Sequence, residues 1–374
     1  MFRRIKENVD WVLFSATLPL LGAGLLTMDS FTGDNYFFVR QLIWIAAAIV
    51  LFFVASSIDW RFLRNSWVLV GLFTVLLGVL LVLAVVGTAV KGSQNRFKFG
   101  LFGLQPVEFV KLLEIFMLAK YFSRRHVEIA HVRHLIVSGL YAFVPFVLVI
   151  LQPDLGSAII IFLIWVGMIT VSGIPKRRLL GIFVAVAVTF SVMWVSILKP
   201  YQKDRIMTFV NPLADIHGAG YNAFQSQIAV GSGQVLGKGV GYGTQSRLSF
   251  LPEFQTDFIF AAFSEEWGFV GVMIVFTLFG IIIFRILSIA MVGATNFEML
   301  YAMGLAIFLM SHFTINIGMN IGLLPVTGIP VPFMSYGGSH LLAEYLGLGI
   351  LMGMRRYSRA AHRDDMRNEF VGAV

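Results

Sequence analysis

The stretch SWVLVGLFTVLLGVLLVLAVVGTAV, residues 66–90, has no charged residue over its whole length. A hydrocarbon core of about 30 Å needs about 20 apolar residues in a helix, so this stretch can cross a bilayer. Uncharged runs of similar size recur at residues 11–28, 41–58, 135–153, 155–175, 179–198 and 299–333. Three weaker segments lie at residues 105–122, 258–284 and 341–354. The pattern predicts an all-α polytopic integral membrane protein with about ten transmembrane helices.

The composition supports this fold class. Of the 374 residues, 58% are hydrophobic and 13% are charged, whereas soluble domains have about 45–50% apolar and about 25% charged residues. The net charge is +8, but most basic residues flank the apolar runs, so we expect contact with anionic lipid and no nucleic-acid partner. The absence of cysteine excludes disulfide and thiolate chemistry.

The distribution of basic residues predicts the orientation, because cytoplasmic loops of membrane proteins are rich in lysine and arginine. An N-terminus inside the cell places 17 of the 28 basic residues in cytoplasmic segments, including a C-terminal tail at residues 355–374. Both termini are then cytoplasmic. We expect one transmembrane domain, residues 1–374, with a long extracytoplasmic loop at residues 199–257 between helices seven and eight.

The long loop has two distinct parts. In AGYNAFQSQIAVGSG, residues 219–233, the apolar residues have helical spacing, which predicts a short interfacial helix. The next stretch, GSGQVLGKGVGYG, residues 231–243, lacks the Gly-Lys-Ser/Thr of a nucleotide-binding loop. Its glycines predict a turn in which the backbone bends or closely approaches a ligand.

A third irregular stretch, LLPVTGIPVPFMSYGG, occupies residues 323–338. Its prolines and glycines predict a broken helix or a re-entrant loop. Irregular backbone at membrane depth is tolerated only where it is buried or lines a cavity.

Ionisable residues within apolar segments cost about 2.5–3.5 kcal/mol each on insertion scales, so each needs a reason. Glu108, Lys111 and Glu114 follow one another at i, i+3 steps and can form a ladder along one helix. The ladder is either a self-neutralising structural salt bridge or the polar wall of a cavity, with Lys111 facing a phosphate. Asp154, in QPDLGSA, fits a helix N-cap.

Other polar residues lie deep in the last third of the chain. We expect at least one of Glu265 and Glu266 to face the protein interior. His312, Asn316 and Asn320 are spaced i, i+4, i+8, which favours hydrogen bonds between helices. No two histidines pair with carboxylates at metal-ligand spacing, so the sequence predicts no dedicated zinc or iron site.

Asp257, in LPEFQTDFIF, lies where a polar loop meets an apolar run. It can act as a helix N-cap. It can also act as a general base, because partial desolvation at such a boundary raises the pKa of a carboxylate towards neutrality. The local pattern leaves both roles open.

Taken together, four motifs resemble the SEDS family of shape, elongation, division and sporulation proteins. They are QPVEFVKL, QPDLGSA, the long stretch from GYNAFQSQ to EEWGFVG, and LLPVTGIPVPFMSYGGS. The resemblance extends from about residue 92 to residue 354, in the right order and spacing. The short ends are most similar to those of the elongation members.

The resemblance implies a peptidoglycan glycosyltransferase of the bacterial cytoplasmic membrane. Such an enzyme polymerises lipid II, an undecaprenyl-pyrophosphate-linked disaccharide-pentapeptide, into glycan strands at the outer membrane face. Its usual partner is a class B penicillin-binding protein, a transpeptidase. By motif, Asp257 matches the essential loop aspartate, and Arg96, Glu108, Lys111 and Asp154 match residues expected to bind substrate.

The expected chemistry is inversion at the anomeric carbon with Asp257 as the general base. Arg96, Lys111 and Arg205 are candidates to stabilise the departing pyrophosphate. We expect a divalent cation, magnesium, bound with the substrate, and no organic cofactor; Asp257 can hold that cation instead of acting as the base. The alternatives are a lipid II flippase, which the charged fourth helix favours, and a non-catalytic scaffold of the cell-wall synthesis complex.

Overall fold

The computed structural model describes residues 9–29, 36–86, 96–99, 102–123, 132–196, 203, 207–209, 220–248, 250–293 and 295–370. In order, the helices are α1 (Trp11–Asp29), α2 (Tyr36–Ser57), α3 (Ser66–Val86), α4 (Val107–Ser123), α5 (Val132–Leu151), α6 (Leu155–Val171), α7 (Lys176–Ser196), α8 (Tyr221–Ser232), α9 (Thr244–Arg247), α10 (Ile259–Met291), α11 (Asn296–Asn320) and α12 (Gly338–Phe370). A 3-10 helix (Trp60–Arg64) precedes α3, and an antiparallel hairpin, β1 (Phe97–Phe99) and β2 (Phe102–Leu104), precedes α4.

The fold is mostly helical, as predicted. Among the residues described, seven helices are long and apolar enough to cross a membrane, namely α1, α2, α3, α5, α7, α10 and α11. The helix predicted in the long loop is confirmed as α8. Residues 321–337 form no regular helix, so the prediction of broken structure there is also confirmed.

Helix α11 is the centre of the bundle. It packs against α4, α6, α10 and α12, and most of its residues are buried. Helix α12 packs along α2, and α10 packs against α1. Polar residues on α11 therefore point into protein, where each needs a hydrogen-bonding partner.

At one end of the bundle the Asp10 carboxylate joins three helices. It accepts a hydrogen bond from the backbone N–H of Leu13 in α1 and pairs with Arg285 of α10 and Arg355 of α12. Burial raises the pKa of Asp10, but the hydrogen bond from Arg285 and the charges of both arginines outweigh it, so the net pKa is lowered. This contact stabilises the fold above the ordinary aspartate pKa and weakens as the pH falls below it.

Helix α10 is broken at Gly268, which has a φ of 62° and a ψ of −165°. The rings of Phe260 and Phe276 nevertheless lie 6.4 Å apart, although 16 residues of straight helix span about 24 Å. The short arm, residues 259–267, therefore folds back against the long arm, residues 269–291. The weaker apolar segment at residues 258–284 is therefore a helix interrupted at Gly268, because this glycine adopts a backbone conformation that ends a helix.

The glycine-rich stretch after α8 satisfies the backbone groups that this break releases. Two backbone carbonyls of the short arm accept hydrogen bonds from the stretch: Glu265 O from Lys238 N at 3.0 Å and Glu266 O from Gly239 N at 3.0 Å. Two backbone N–H groups of the long arm donate to the stretch: Phe269 N to Gln234 O at 2.9 Å and Val270 N to Val235 O at 3.1 Å. A Cβ atom at Gly237 would lie 2.0 Å from Glu266 O. The predicted close approach is therefore an approach to the backbone of α10.

The break predicts a strong contrast between two glycines of α10. Gly268→Ala should lower the free energy of unfolding by about 3 kcal/mol or more. The backbone at position 268 has a positive φ, which strains an alanine, and the new Cβ would lie 2.2 Å from the Gly237 nitrogen. Gly280→Ala is the matched control, since nothing lies within 4 Å of its Cβ position. It should be neutral or stabilising by up to about 1 kcal/mol. Thermal unfolding of both purified variants in detergent tests this, and equal melting temperatures would contradict it.

Candidate functional site

Asp257 lies at the start of the short arm of α10 and is half-buried. The N-cap residue of this helix is Phe258. The backbone carbonyl of Asp257 accepts hydrogen bonds from the side-chain amides of Asn316, at 2.9 Å, and Asn320, at 3.2 Å. The predicted hydrogen bonds between helices are confirmed for Asn320, which accepts from Ser226 of α8, whereas Asn316 bonds to backbone outside the helices. Both asparagines hold the Asp257 backbone against the central helix.

The irregular segment 321–337 forms the opposite wall. The same Asn316 amide donates to the carbonyl of Ile329 at 2.6 Å. Gly328 has a φ of 74°, and a Cβ there would lie 3.4 Å from Asp257 Oδ2. Ser335 Oγ donates to Thr256 O at 2.7 Å. The carboxylate of the half-buried Asp257 thus lies beside a glycine backbone.

A buried group of charges surrounds Lys111 of α4. Its Nζ lies 2.7 Å from Glu108 Oε1 and 3.3 Å from His312 Nε2. All three residues are buried. Lys111 is therefore enclosed by protein groups, and its contact with Glu108 matches the interpretation of these two residues as a structural salt bridge.

The group continues through α12. His340 Nδ1 lies 3.0 Å from Glu108 Oε2, and His340 Nε2 lies 2.8 Å from Glu344 Oε1. Glu344 Oε2 accepts from the backbone N–H of Phe333, in the irregular segment, at 3.0 Å. His340 and Glu344 were not among the predicted site residues. Their spacing, an i, i+4 pair of ionisable residues in an apolar helix, is the sequence signal that identifies them.

Helix α11 connects this buried group to Asp257. His312 pairs with Lys111, and Asn316, one turn further along, holds the carbonyl of Asp257. One helical turn of four residues rises about 6 Å. The buried charges therefore lie about one turn below the level at which the Asp257 loop is anchored.

Asp154 caps α6, as its local pattern predicts. Its carboxylate accepts from the backbone N–H and the hydroxyl of Ser157, both at 3.0 Å, and from Gln105 Nε2 at 3.3 Å. A Cβ at Gly156, in the same turn, would lie 2.8 Å from Thr327 O. The turn at Asp154 therefore packs against the segment that also borders Asp257.

Arg96 precedes β1 and is exposed. The hairpin is fixed to the start of α12, because Ser339 Oγ accepts from the Gln105 N–H at 2.8 Å and donates to Gly103 O at 3.3 Å. Ser339 adjoins His340, so the hairpin lies next to the buried charges. Arg205 lies outside the described residues, and its predicted role stays a prediction.

The remaining deep carboxylates differ from one another. Glu265 and Glu266 are both buried, which confirms the expectation for this pair. Glu265 accepts from Lys238 Nζ at 2.6 Å and from the Thr244 N–H at 2.9 Å, so it fixes the glycine-rich stretch to α10. Glu114 is also buried, and within the described residues its carboxylate has no hydrogen-bond partner. The predicted ladder therefore joins Glu108 to Lys111 and does not extend to Glu114.

One group of side chains has the composition of a metal site. Donor atoms of Glu108, His312 and His340 lie within 4.8 Å of one another. Sequence spacing could not reveal this, since α4, α11 and α12 each contribute one residue. The Lys111 ammonium already contacts Glu108 and His312, and the two imidazoles suit zinc better than magnesium, which prefers oxygen ligands. The predicted magnesium therefore does not fit here.

Comparison with known proteins decides the family. The chain matches the FtsW, RodA and SpoVE family of cell cycle proteins over residues 12–360. The chain belongs to this family. The resemblance drawn from the four motifs is confirmed.

Several relatives match almost end to end. Peptidoglycan glycosyltransferase MrdB of Escherichia coli K12 is 35% identical over 356 residues, which cover 95% of each chain. Stage V sporulation protein E of Bacillus subtilis is 34% identical over 364 residues, covering 95% of this chain and 99% of that protein. A probable peptidoglycan glycosyltransferase FtsW of Haemophilus influenzae is 31% identical over 381 residues.

Solved structures agree with the fold. The crystal structure of the rod shape determining protein RodA of Thermus thermophilus has a TM-score of 0.70 at 27% identity, covering 93% of this chain and 96% of that one. A chain from a study of the "Structural coordination of polymerization and crosslinking by a peptidoglycan synthase complex" has a TM-score of 0.80 at 28% identity, covering 93% and 98%.

The buried charges predict an asymmetry between single and paired substitutions. His340→Leu should lower the free energy of unfolding by about 3–5 kcal/mol, because it leaves two buried carboxylates without their shared partner. The double variant His340→Leu, Glu344→Leu should be the more stable of the two, since it also removes a stranded carboxylate. Chemical or thermal unfolding measures both. A double variant less stable than the single one would contradict the pairing.

Proposed function

We propose that the chain is a peptidoglycan glycosyltransferase that polymerises lipid II into glycan strands at the outer face of the bacterial cytoplasmic membrane. The likeness to relatives named as peptidoglycan glycosyltransferases supports the activity. The observation that carries the proposal is Asp257: it is half-buried, its backbone is anchored to α11, and its carboxylate lies against Gly328. We assign the enzyme to cell elongation, on its likeness to MrdB and RodA.

Asp257 is the general base of the proposed reaction. The 4-hydroxyl oxygen of a GlcNAc residue attacks the anomeric carbon of the donor and forms the new glycosidic bond. The bond from that carbon to the lipid pyrophosphate breaks, with inversion, and the hydroxyl proton passes to Asp257. A positioned base contributes about 10²–10⁴-fold to such a step.

Cations must offset the charge that grows on the departing pyrophosphate, and fixed charge in a water-poor site is often a large catalytic term. Arg96 is exposed on a hairpin anchored beside the buried charges, so we assign it to the pyrophosphate. Arg205 is a second candidate from the long loop. Lys111 is paired to Glu108, so we give this pair and Asp154 a supporting role beneath the substrate.

Holding a divalent cation is the alternative role for Asp257, because a carboxylate that binds the ion cannot also take the hydroxyl proton. Magnesium is usually held by one or two carboxylates together with substrate phosphates, and Asp257 is a half-buried aspartate at the proposed site. When bound, magnesium would neutralise pyrophosphate charge. The residue of the chain that would hold it is Asp257.

We propose ten membrane crossings, by the seven apolar helices with α4, α6 and α12, which form a single transmembrane domain. The distribution of basic residues supports cytoplasmic termini, a cytoplasmic tail at residues 355–374 and an extracytoplasmic loop at residues 199–257. The proposed partner is a class B penicillin-binding protein. A structurally similar chain comes from a peptidoglycan synthase complex that coordinates polymerisation with crosslinking, which supports this partner.

The proposal predicts that Asp257→Asn abolishes polymerisation, because the amide cannot take the hydroxyl proton. The assay supplies lipid II to the detergent-purified protein with its transpeptidase partner and measures glycan polymer. Detergent offers no second leaflet, so a flippase yields no product there. Polymer from the native protein and none from the variant supports the enzyme, while equal polymer from both would remove Asp257 from the chemistry.

The same assay includes two controls. Asp59→Asn changes an exposed aspartate that pairs with Arg61, and it should leave polymerisation unchanged. Chelation of divalent cations should stop the native reaction, and added magnesium should restore it. Full activity under chelation would exclude a role for the cation.

A further inference from the structure

We propose that Asn316, Asn320 and Ser226 form a positioning unit that sets the place of the Asp257 carboxylate, and we call these three side chains the amide ladder. The inference rests on the proposed function of Asp257. None of the three side chains needs to touch substrate, because each acts through the backbone on either side of the base.

Asn316 supplies the central contact of the ladder. Its amide nitrogen donates to Asp257 O at 2.9 Å and to Ile329 O at 2.6 Å. The two N–H groups of the amide thus donate to two backbone carbonyls. Rotating the amide by 180° would place its oxygen against these carbonyl oxygens, so only the observed orientation satisfies both. A single side chain thus fixes the loop that carries Asp257 and the segment that carries Gly328.

The ladder extends from Asn316 to the long loop. Asn320 Nδ2 donates to Asn316 Oδ1 at 2.9 Å and to Asp257 O at 3.2 Å. Ser226 Oγ, on α8, lies 3.1 Å from Asn320 Oδ1 and 3.0 Å from Asn320 O. All three side chains are fully buried. The loop helix α8 is therefore joined to the Asp257 backbone by an unbroken series of buried hydrogen bonds.

A purely structural role is the competing explanation, because irregular backbone carbonyls within a bundle need donors. Geometry favours a positioning role. Asn316 joins the segment that carries Asp257 to the segment that carries Gly328, and a Cβ at Gly328 would lie 3.4 Å from Asp257 Oδ2. Loss of the Asn316 amide would remove hydrogen bonds from the Asp257 segment and from the Gly328 segment at the same time. A misplacement of about 1 Å at a reacting group can cost about 10²-fold in rate.

The test compares Asn316→Ala with Tyr301→Phe in the full chain, with native protein and lipid II as above. Tyr301 lies on the same helix, is equally buried, and donates one hydrogen bond to Gly347 O at 3.0 Å. We expect Asn316→Ala to lower kcat at least tenfold with KM within twofold of native. We expect Tyr301→Phe to lower the melting temperature without changing kcat.

Asn320→Ala keeps the two hydrogen bonds that the Asn316 amide donates and serves if Asn316→Ala does not fold. It should lower kcat by about threefold with KM unchanged, since the longer of the two bonds to Asp257 O is lost. The proposal is overturned if both asparagine variants keep native kcat, or if KM rises as much as kcat falls. Inactive Asp257→Asn beside fully active asparagine variants rejects the ladder alone, whereas active Asp257→Asn rejects the proposed function itself.

Discussion

The site depends on one constraint: irregular backbone inside an apolar bundle must find hydrogen-bonding partners within the protein. Two such segments meet at Asp257, the turn that ends at residue 258 and the stretch at residues 321–337. Asn316 on the central helix supplies donors to both. The position of the Asp257 carboxylate therefore follows from the need of irregular backbone carbonyls for hydrogen-bond donors, a need that a regular helix meets internally.

The break in α10 serves the same arrangement. The short arm folds back at Gly268, and the turn before it, which contains Asp257, is hydrogen-bonded to α11. Glu265 and the glycine-rich stretch hold this fold-back in place. Glu108 pairs with both Lys111 and His340, so its buried charge is offset within the protein.

Part of this could be predicted from the sequence. Apolar runs predict the helices, the prolines and glycines of residues 323–338 predict the irregular segment, and the boundary position of Asp257 predicts its partial burial. The break at Gly268 could not be predicted, because an isolated glycine is tolerated within a helix. The break also depends on hydrogen bonds to backbone groups about 30 residues earlier in the chain, which local sequence does not reveal. The contact of His340 with Glu108 joins residues 232 positions apart, a distance at which sequence spacing carries no information.

The most direct test of the central claim is whether position 257 is reached from outside the cell by a polar headgroup. The chain has no cysteine, so Asp257→Cys introduces a single thiol for a membrane-impermeant maleimide applied to spheroplasts. Tyr242→Cys, at an exposed residue of the same loop, and Ala302→Cys, at a buried residue of α11, give the labelled and unlabelled limits. The account predicts labelling at position 257 from outside, with protection by lipid II. Labelling only after the membrane is permeabilised, or none while Tyr242→Cys reacts, would contradict it.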